Sequence, residues 1–243
     1  MSEALSQACV VIPTFNEAPN IARLAEALRA LSPGLSIIVV DDGSPDGTGE
    51  VAVAAAKKLA PMQVIHRSGK GGRGSACMAG FMLGLSDPKV KYVVEMDADF
   101  SHDPKELPAM LEILESGNAD VVLRSRYEGT SRIVDWTIAR RVFSKFSNIF
   151  ARTLLGIPIS DYTNGYRAYT REAAEAIDFK KIAATGYIVL SEVAYQLHLK
   201  GIRFACLPTV FVNRRRGQSN LSFKEIAGAF KGVTSLRSRY GKK

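Results

Sequence analysis

Several kinds of protein are excluded by what this chain lacks. Its 243 residues hold three cysteines, Cys9, Cys77 and Cys206, far apart along the sequence. That spacing excludes a disulfide framework or a cysteine-based zinc site and fits a reducing compartment; each thiol is expected to pack as a small buried hydrophobe. No apolar run approaches the roughly 18–20 residues of a membrane-spanning helix. Residues 1–7 are short and polar, so no leader peptide is read there. Repeats, low-complexity tracts and linkers are absent as well, which predicts one domain over 1–221 and a C-terminal appendage, a basic amphipathic helix, over 222–243.

What is present is a core-forming composition: 47% apolar and 23% charged residues. The net charge is +8, and it is concentrated at one end. From Asn213 onward nine Lys/Arg face a single acid, Glu225, an excess equal to the whole net charge. Such a tail is either a solvated face or a site for a polyanion: a membrane surface, a phosphorylated substrate or nucleic acid. A non-catalytic nucleic-acid binder needs aromatic platforms or a recognised module. Neither is found, and such a binder would leave the acidic residues described below unexplained.

The first half alternates strand and helix signals. Strands are predicted at 9–13, 36–40, 62–66, 91–96 and 120–123, and helices at 18–31, 50–59, 74–85 and 104–116. β-branched apolar runs alternating with helical patterns imply an α/β fold with a mostly parallel sheet covered on both faces. In the second half the pattern predicts helices at 136–155, 188–200 and 222–236, with strands at 165–169 and 203–212. Helix 136–155 carries apolar and basic positions that suit either core packing or a bilayer surface.

Acidic residues cluster at the predicted strand ends: Glu17 after the first, Asp41 and Asp42 after the second, Asp97 and Asp99 after the fourth. In a parallel sheet these ends share one edge, where open α/β sheets bind ligands. If the strand continues through Asp97-Ala98-Asp99, the two carboxylates face one side, with Ser101 following in the same register, and suit a hard cation that bridges to substrate phosphate. Asp46 and Gly47 read as turn and cap residues. The glycine-rich, basic run 69–74 matches no phosphate-loop pattern; it is either an anion-binding helix N-terminus or a flexible loop. His102 is expected to make a local hydrogen bond, and His66 and His198 are read as structural. Arg126, Arg140, Arg167 and Arg214 are candidates for phosphate binding, with surface ion pairing as the alternative for each.

Taken together, the segments 11–17, 41–48, 96–102, 125–127 and 161–167, and Gly186-Tyr187 with Glu192, resemble the inverting family 2 glycosyltransferases of GT-A fold, in the polyprenyl (dolichyl) phosphate mannosyltransferase branch. The likeness runs from about Cys9 to Leu221. It implies a Rossmann-like GT-A domain in which Pro13, Phe15, Glu17, Val40, Asp42 and Ala98 line the nucleotide pocket. Asp97 and Asp99, with Ser101, would hold Mg²⁺ or Mn²⁺ on the donor diphosphate. Arg126, Arg140 and Ser144 match positions that handle acceptor phosphate, and Arg214 matches a loop that closes over the donor. Asn220 stands where relatives carry a phosphate-contacting lysine. The implied reaction is transfer of a hexose, most simply mannose from GDP-mannose, to a polyprenyl monophosphate; UDP-glucose or another donor is the alternative. The expected setting is cytoplasmic and peripheral to a membrane, with room for a separate membrane subunit and no role for nucleic acid.

Overall fold

The computed structural model describes residues 3–69, 71–184, 186, 188–212 and 223–240, with side chains of the last segment from 232 onward. Arg214 and Asn220 lie outside these residues, as does the expected 221/222 boundary.

In chain order the elements are α1 (Glu3–Ser6), β1 (Ala8–Thr14), α2 (Ala18–Leu31), β2 (Ser36–Asp41), α3 (Thr48–Ala56), β3 (Met62–His66), α4 (Arg73–Ser86) and β4 (Tyr92–Glu95). A 3₁₀ turn (Pro104–Glu106) leads into α5 (Leu107–Glu115), β5 (Val121–Ser125), β6 (Arg132–Val134) and α6 (Ile138–Leu155). Then come β7 (Arg167–Thr170), α7 (Arg171–Glu175), α8 (Ile188–Leu199), β8 (Phe204–Pro208), β9 (Val210–Val212) and α9 (Phe223–Tyr240).

Seven strands form one sheet in the order β3-β2-β1-β4-β7-β5-β8. All are parallel except β7, which runs antiparallel to both neighbours. The predicted strand 203–212 is in fact two strands. It turns at Thr209, and β9 leaves the main sheet to pair with β6, a short strand the sequence pattern did not reveal.

Alternation along the central strands builds two core layers. Val10, Ile12, Ile37, Val39 and Val94 point to one side; Cys9, Val11, Ile38, Val40 and Val93 point to the other. Both faces are covered by helices, so the strands read as continuous apolar runs. Helix α4 lies so close to β1 that a Cβ at Gly80 would sit 2.3 Å from Val11 Cγ1, which is why a poor helix former stands in mid-helix. A third cluster joins Leu123, Ala151, Leu155, Ala194, Val233 and Leu236, and it seats the C-terminal helix on α6 and α8. Among the described residues, no helix is long and apolar enough to cross a membrane.

The chain leaves β1 towards β2 on one side and returns to β4 on the other. The crevice at the carboxyl ends of β1 and β4 is therefore the switch point at which such sheets bind ligands. Two residues on its rim hold left-handed backbone: Asn16 (φ 62°) beside β1 and Phe100 (φ 60°) beyond β4. For a bulky residue such as Phe100 this conformation is strained, and strain of this kind concentrates at functional turns.

Candidate active site

The acidic pair does not lie in a strand. β4 ends at Glu95, and residues 97–101 form a turn, so alternation does not set the directions of Asp97 and Asp99. Asp99 is oriented instead by Ser101, whose backbone N–H (3.0 Å) and hydroxyl (2.6 Å) both donate to its Oδ1. Asp97 is oriented by Arg73, whose Nε donates to Oδ1 at 2.9 Å. The same guanidinium reaches Glu95 through Nη1 (2.8 Å) and the Gly165 carbonyl through Nη2 (3.1 Å). Burial opposes the charge on Arg73, but Asp97 and Glu95 outweigh it and hold its pKa well above the ordinary arginine value. Glu95 also accepts from the Tyr169 hydroxyl at 2.6 Å. Sequence reading missed Arg73, seeing only the basic character of a glycine-rich loop.

His102 does make a local bond, and more. Its Nδ1 accepts the Asp97 backbone N–H at 3.0 Å, which places the proton on Nε2 for donation to Asn164 Oδ1 at 2.8 Å. Asn164 Nδ2 donates to the Arg124 carbonyl, and its backbone N–H donates to Asp161. Asp161 in turn carries Arg126. A continuous chain of hydrogen bonds thus runs from the acidic turn to the arginine at the end of β5.

Arg126 is buried, and its Nε and Nη2 grip the two oxygens of Asp161 at 2.7 Å each. Burial would raise the Asp161 pKa, but Arg126 and the backbone donors hold it below the usual carboxylate value. The Arg126 guanidinium also lies 5.1 Å from the Trp136 ring and 5.3 Å from that of Phe211, while Arg140 stacks on Trp136 at 4.1 Å. Ser144 accepts from the Tyr127 hydroxyl at 2.6 Å. Arg126, Arg140 and Ser144 are therefore brought into one neighbourhood by β5 and the first half of α6. Asp161, Trp136 and Phe211 organise it; of these only Asp161 stood in a segment that carried the resemblance.

Other candidates are placed differently. Arg167 is 1% exposed and gives its guanidinium to the carbonyls of Tyr162, Asn164 and Leu190, so it is an internal brace and not a phosphate ligand. Val40 and Ala98 are buried in the core layers next to this sheet edge. Pro13, Phe15 and Glu17 are partly exposed at the end of β1. Asp46 pins the start of α2 through the Ala18 N–H and caps Thr48, and Gly47 (φ 85°) takes the N-cap position, both as read from sequence.

Asp42 pairs with Arg67 at 2.8 Å and accepts the N–H groups of Gly71 and Gly72 at 3.1 and 2.9 Å. Those amides of the glycine-rich loop therefore serve an internal carboxylate. The loop walls a cleft of about 150 Å³, with Arg73 inside it and Phe179, Ile182 and Val189 opposite. Burial pushes the Cys9 thiol up to about 12 and raises Cys77 as well, so neither thiol is reactive.

Helix α6 is apolar on two faces. Ala151 and Leu155 enter the core, while Ile138, Val142 and Ile149 are 80%, 63% and 54% exposed on the outer side. Arg141, Lys145 and Arg152 run beside that outer stripe, all exposed.

A mostly parallel sheet with one reversed strand carries an acidic turn at its switch point and an arginine cluster alongside, an arrangement of GT-A type. The glycosyl transferase family 2 profile matches residues 9–178, and the chain belongs to this family. It is 39% identical over 224 residues to the polyprenol monophosphomannose synthase of Mycolicibacterium smegmatis, covering 90% of this chain and 83% of that one. It is 37% identical over 240 residues to the undecaprenyl-phosphate mannosyltransferase of Micrococcus luteus, covering 95% and 98%. In fold it is similar to glucosyl-3-phosphoglycerate synthase from Mycobacterium tuberculosis, solved with Mn²⁺, UDP and glucosyl-3-phosphoglycerate (TM-score 0.66, 21% identity, 97% and 80% coverage). The expected α/β fold of GT-A type is thus found, and the protein is a glycosyltransferase.

Proposed function

We propose that the protein transfers mannose from GDP-mannose to a polyprenyl monophosphate with inversion at the anomeric carbon. One structural observation carries this reading: a single helix, α6, presents Arg140 and Ser144 to the arginine cluster and Ile138, Val142 and Ile149 to the outside. A phosphate-binding site beside an exposed apolar stripe suits an acceptor that is anionic at one end and a long hydrocarbon at the other. The names of the two curated relatives agree with this choice of sugar and acceptor.

Asp97, Asp99 and Ser101 offer only oxygen donors, which suits Mg²⁺ or Mn²⁺, and they are too few for a closed cage, which suits an ion shared with a diphosphate. When bound, the ion neutralises charge on the leaving diphosphate. The chain's own residues do the rest. Pro13, Phe15 and Glu17 border the nucleotide; Arg126, held rigid by Asp161, and Arg140 draw in and align the acceptor phosphate. A phosphate monoester has a second pKa of about 6, so the acceptor is already a nucleophile at neutral pH and no general base is assigned. With its outer stripe flanked by lysine and arginine, α6 docks the enzyme on the cytoplasmic face of a membrane, and the basic segment 222–243 adds charge; a separate membrane subunit is compatible with this placement.

The test supplies Mn²⁺, a lipid extract and radiolabelled GDP-mannose or UDP-glucose to the purified protein and follows label into the organic phase. Mannose label is expected there, and Asp99→Ala is expected to abolish it while the protein stays folded. Transfer of glucose alone refutes the donor, and full activity of the variant refutes the metal site.

A further inference from the structure

We propose that Arg73 is a positioning residue that competes with the divalent ion for Asp97 and makes ion binding conditional on the donor diphosphate. This rests on the reading of Asp97 and Asp99 as the metal carboxylates.

The guanidinium sits in a slot cut to its shape. Its Nε holds Asp97, Nη1 holds Glu95 and Nη2 holds the Gly165 carbonyl, at 2.9, 2.8 and 3.1 Å. Gly165 is glycine for this reason: a Cβ there would lie 2.2 Å from Arg73 Nη2. Glu95 is buried, and Arg73 is the cation paired with it. An ion arriving alone competes with Arg73 for Asp97 and lies beside a cation that is still tethered by Glu95. That arrangement opposes binding through lost hydrogen bonding and through like-charge repulsion. An ion arriving with a nucleoside diphosphate brings phosphate oxygens, for which a guanidinium is a well-matched partner, so the released Nε–H regains a bond. Arginine and ion thereby exchange places on Asp97 only when the donor is present. The site is kept from loading with an ion in a form that has no sugar to activate.

The experiment measures Mn²⁺ binding by calorimetry or by the spin-resonance signal of free Mn²⁺, with and without GDP or UDP, and without turnover. In the native protein, nucleotide is expected to tighten Mn²⁺ binding strongly. Arg73→Met is expected to tighten Mn²⁺ binding without nucleotide by about tenfold or more, the worth of one charge-assisted hydrogen bond, and so to shrink the nucleotide effect by a similar factor. Arg73→Met/Glu95→Gln, which removes the stranded buried carboxylate, is expected to behave alike if the single variant folds poorly. Gly165→Ala keeps the charge but displaces the guanidinium, and it is expected to move the nucleotide effect in the same direction. Unchanged Mn²⁺ affinity without nucleotide in both Arg73 variants overturns the proposal. A response in the Arg73 variants without one in Gly165→Ala overturns the exchange on Asp97, because charge repulsion alone then accounts for the effect. Failure of Asp97→Asn and Asp99→Asn to weaken Mn²⁺ binding overturns the metal-site reading itself, and this proposal with it.

Discussion

Replacing Asp161 with asparagine removes the anion that fixes Arg126. The Asp161 carboxylate is wholly buried and accepts from Arg126 Nε and Nη2 and from the backbone N–H groups of Arg126, Thr163 and Asn164. An asparagine keeps one acceptor oxygen, turns the other site into a donor, and leaves a buried guanidinium without its counter-charge. Breaking one side of a buried pair costs about 3–5 kcal/mol. For a chain of this length about 1 kcal/mol moves the melting temperature by about 2–4 °C, so the midpoint should fall by about 6–20 °C. Scanning calorimetry at neutral pH checks this. The acid range gives a second check. The folded pKa of Asp161 is depressed, so its stabilising contribution is complete above the unfolded value of about 3.9 and is lost as pH falls through the lower folded value. The gap between native and variant stability should therefore stay constant from neutral pH down to about pH 5 and narrow in more acid solution. Replacing both partners with apolar residues, Arg126→Met/Asp161→Leu, should cost less than Asp161→Asn alone. A loss below about 1 kcal/mol for Asp161→Asn, or a gap indifferent to acid, would refute the view that this pair holds Arg126 in place.

Two further outcomes are expected. Serine at Ile138, Val142 and Ile149 together should lower partition onto anionic vesicles at least about tenfold, given about 1.5–3 kcal/mol for each such side chain fully withdrawn from water, while leaving the melting temperature almost unchanged; flotation with undiminished binding would remove α6 from the membrane surface. Gly80→Ala should destabilise by about 1–3 kcal/mol, because its Cβ would meet Val11 in a packed layer; an unchanged denaturant midpoint would contradict the close approach of α4 to β1.

Much was legible in the chain itself, because local chemistry repeats with a fixed period. Runs such as Val10–Ile12 and Ile37–Val40 read as buried strands, the helical patterns between them imply parallel crossovers, and the acidic residues then fall at one sheet edge. The helix 18–31 and the strand 62–66 were read with their observed bounds. Family membership also followed from short ordered segments. What the sequence alone could not decide was which partner each charge meets. Arg167 and Arg126 look alike as residues, yet one braces three carbonyls in the interior and the other grips Asp161 beside Trp136. Arg73 looked like part of a basic loop until folding set it between Asp97 and Glu95, 24 and 22 residues away along the chain. Periodicity is a property of neighbours and survives in the sequence. The pairing of charges depends on contacts between distant segments, and only the tertiary structure brings those together.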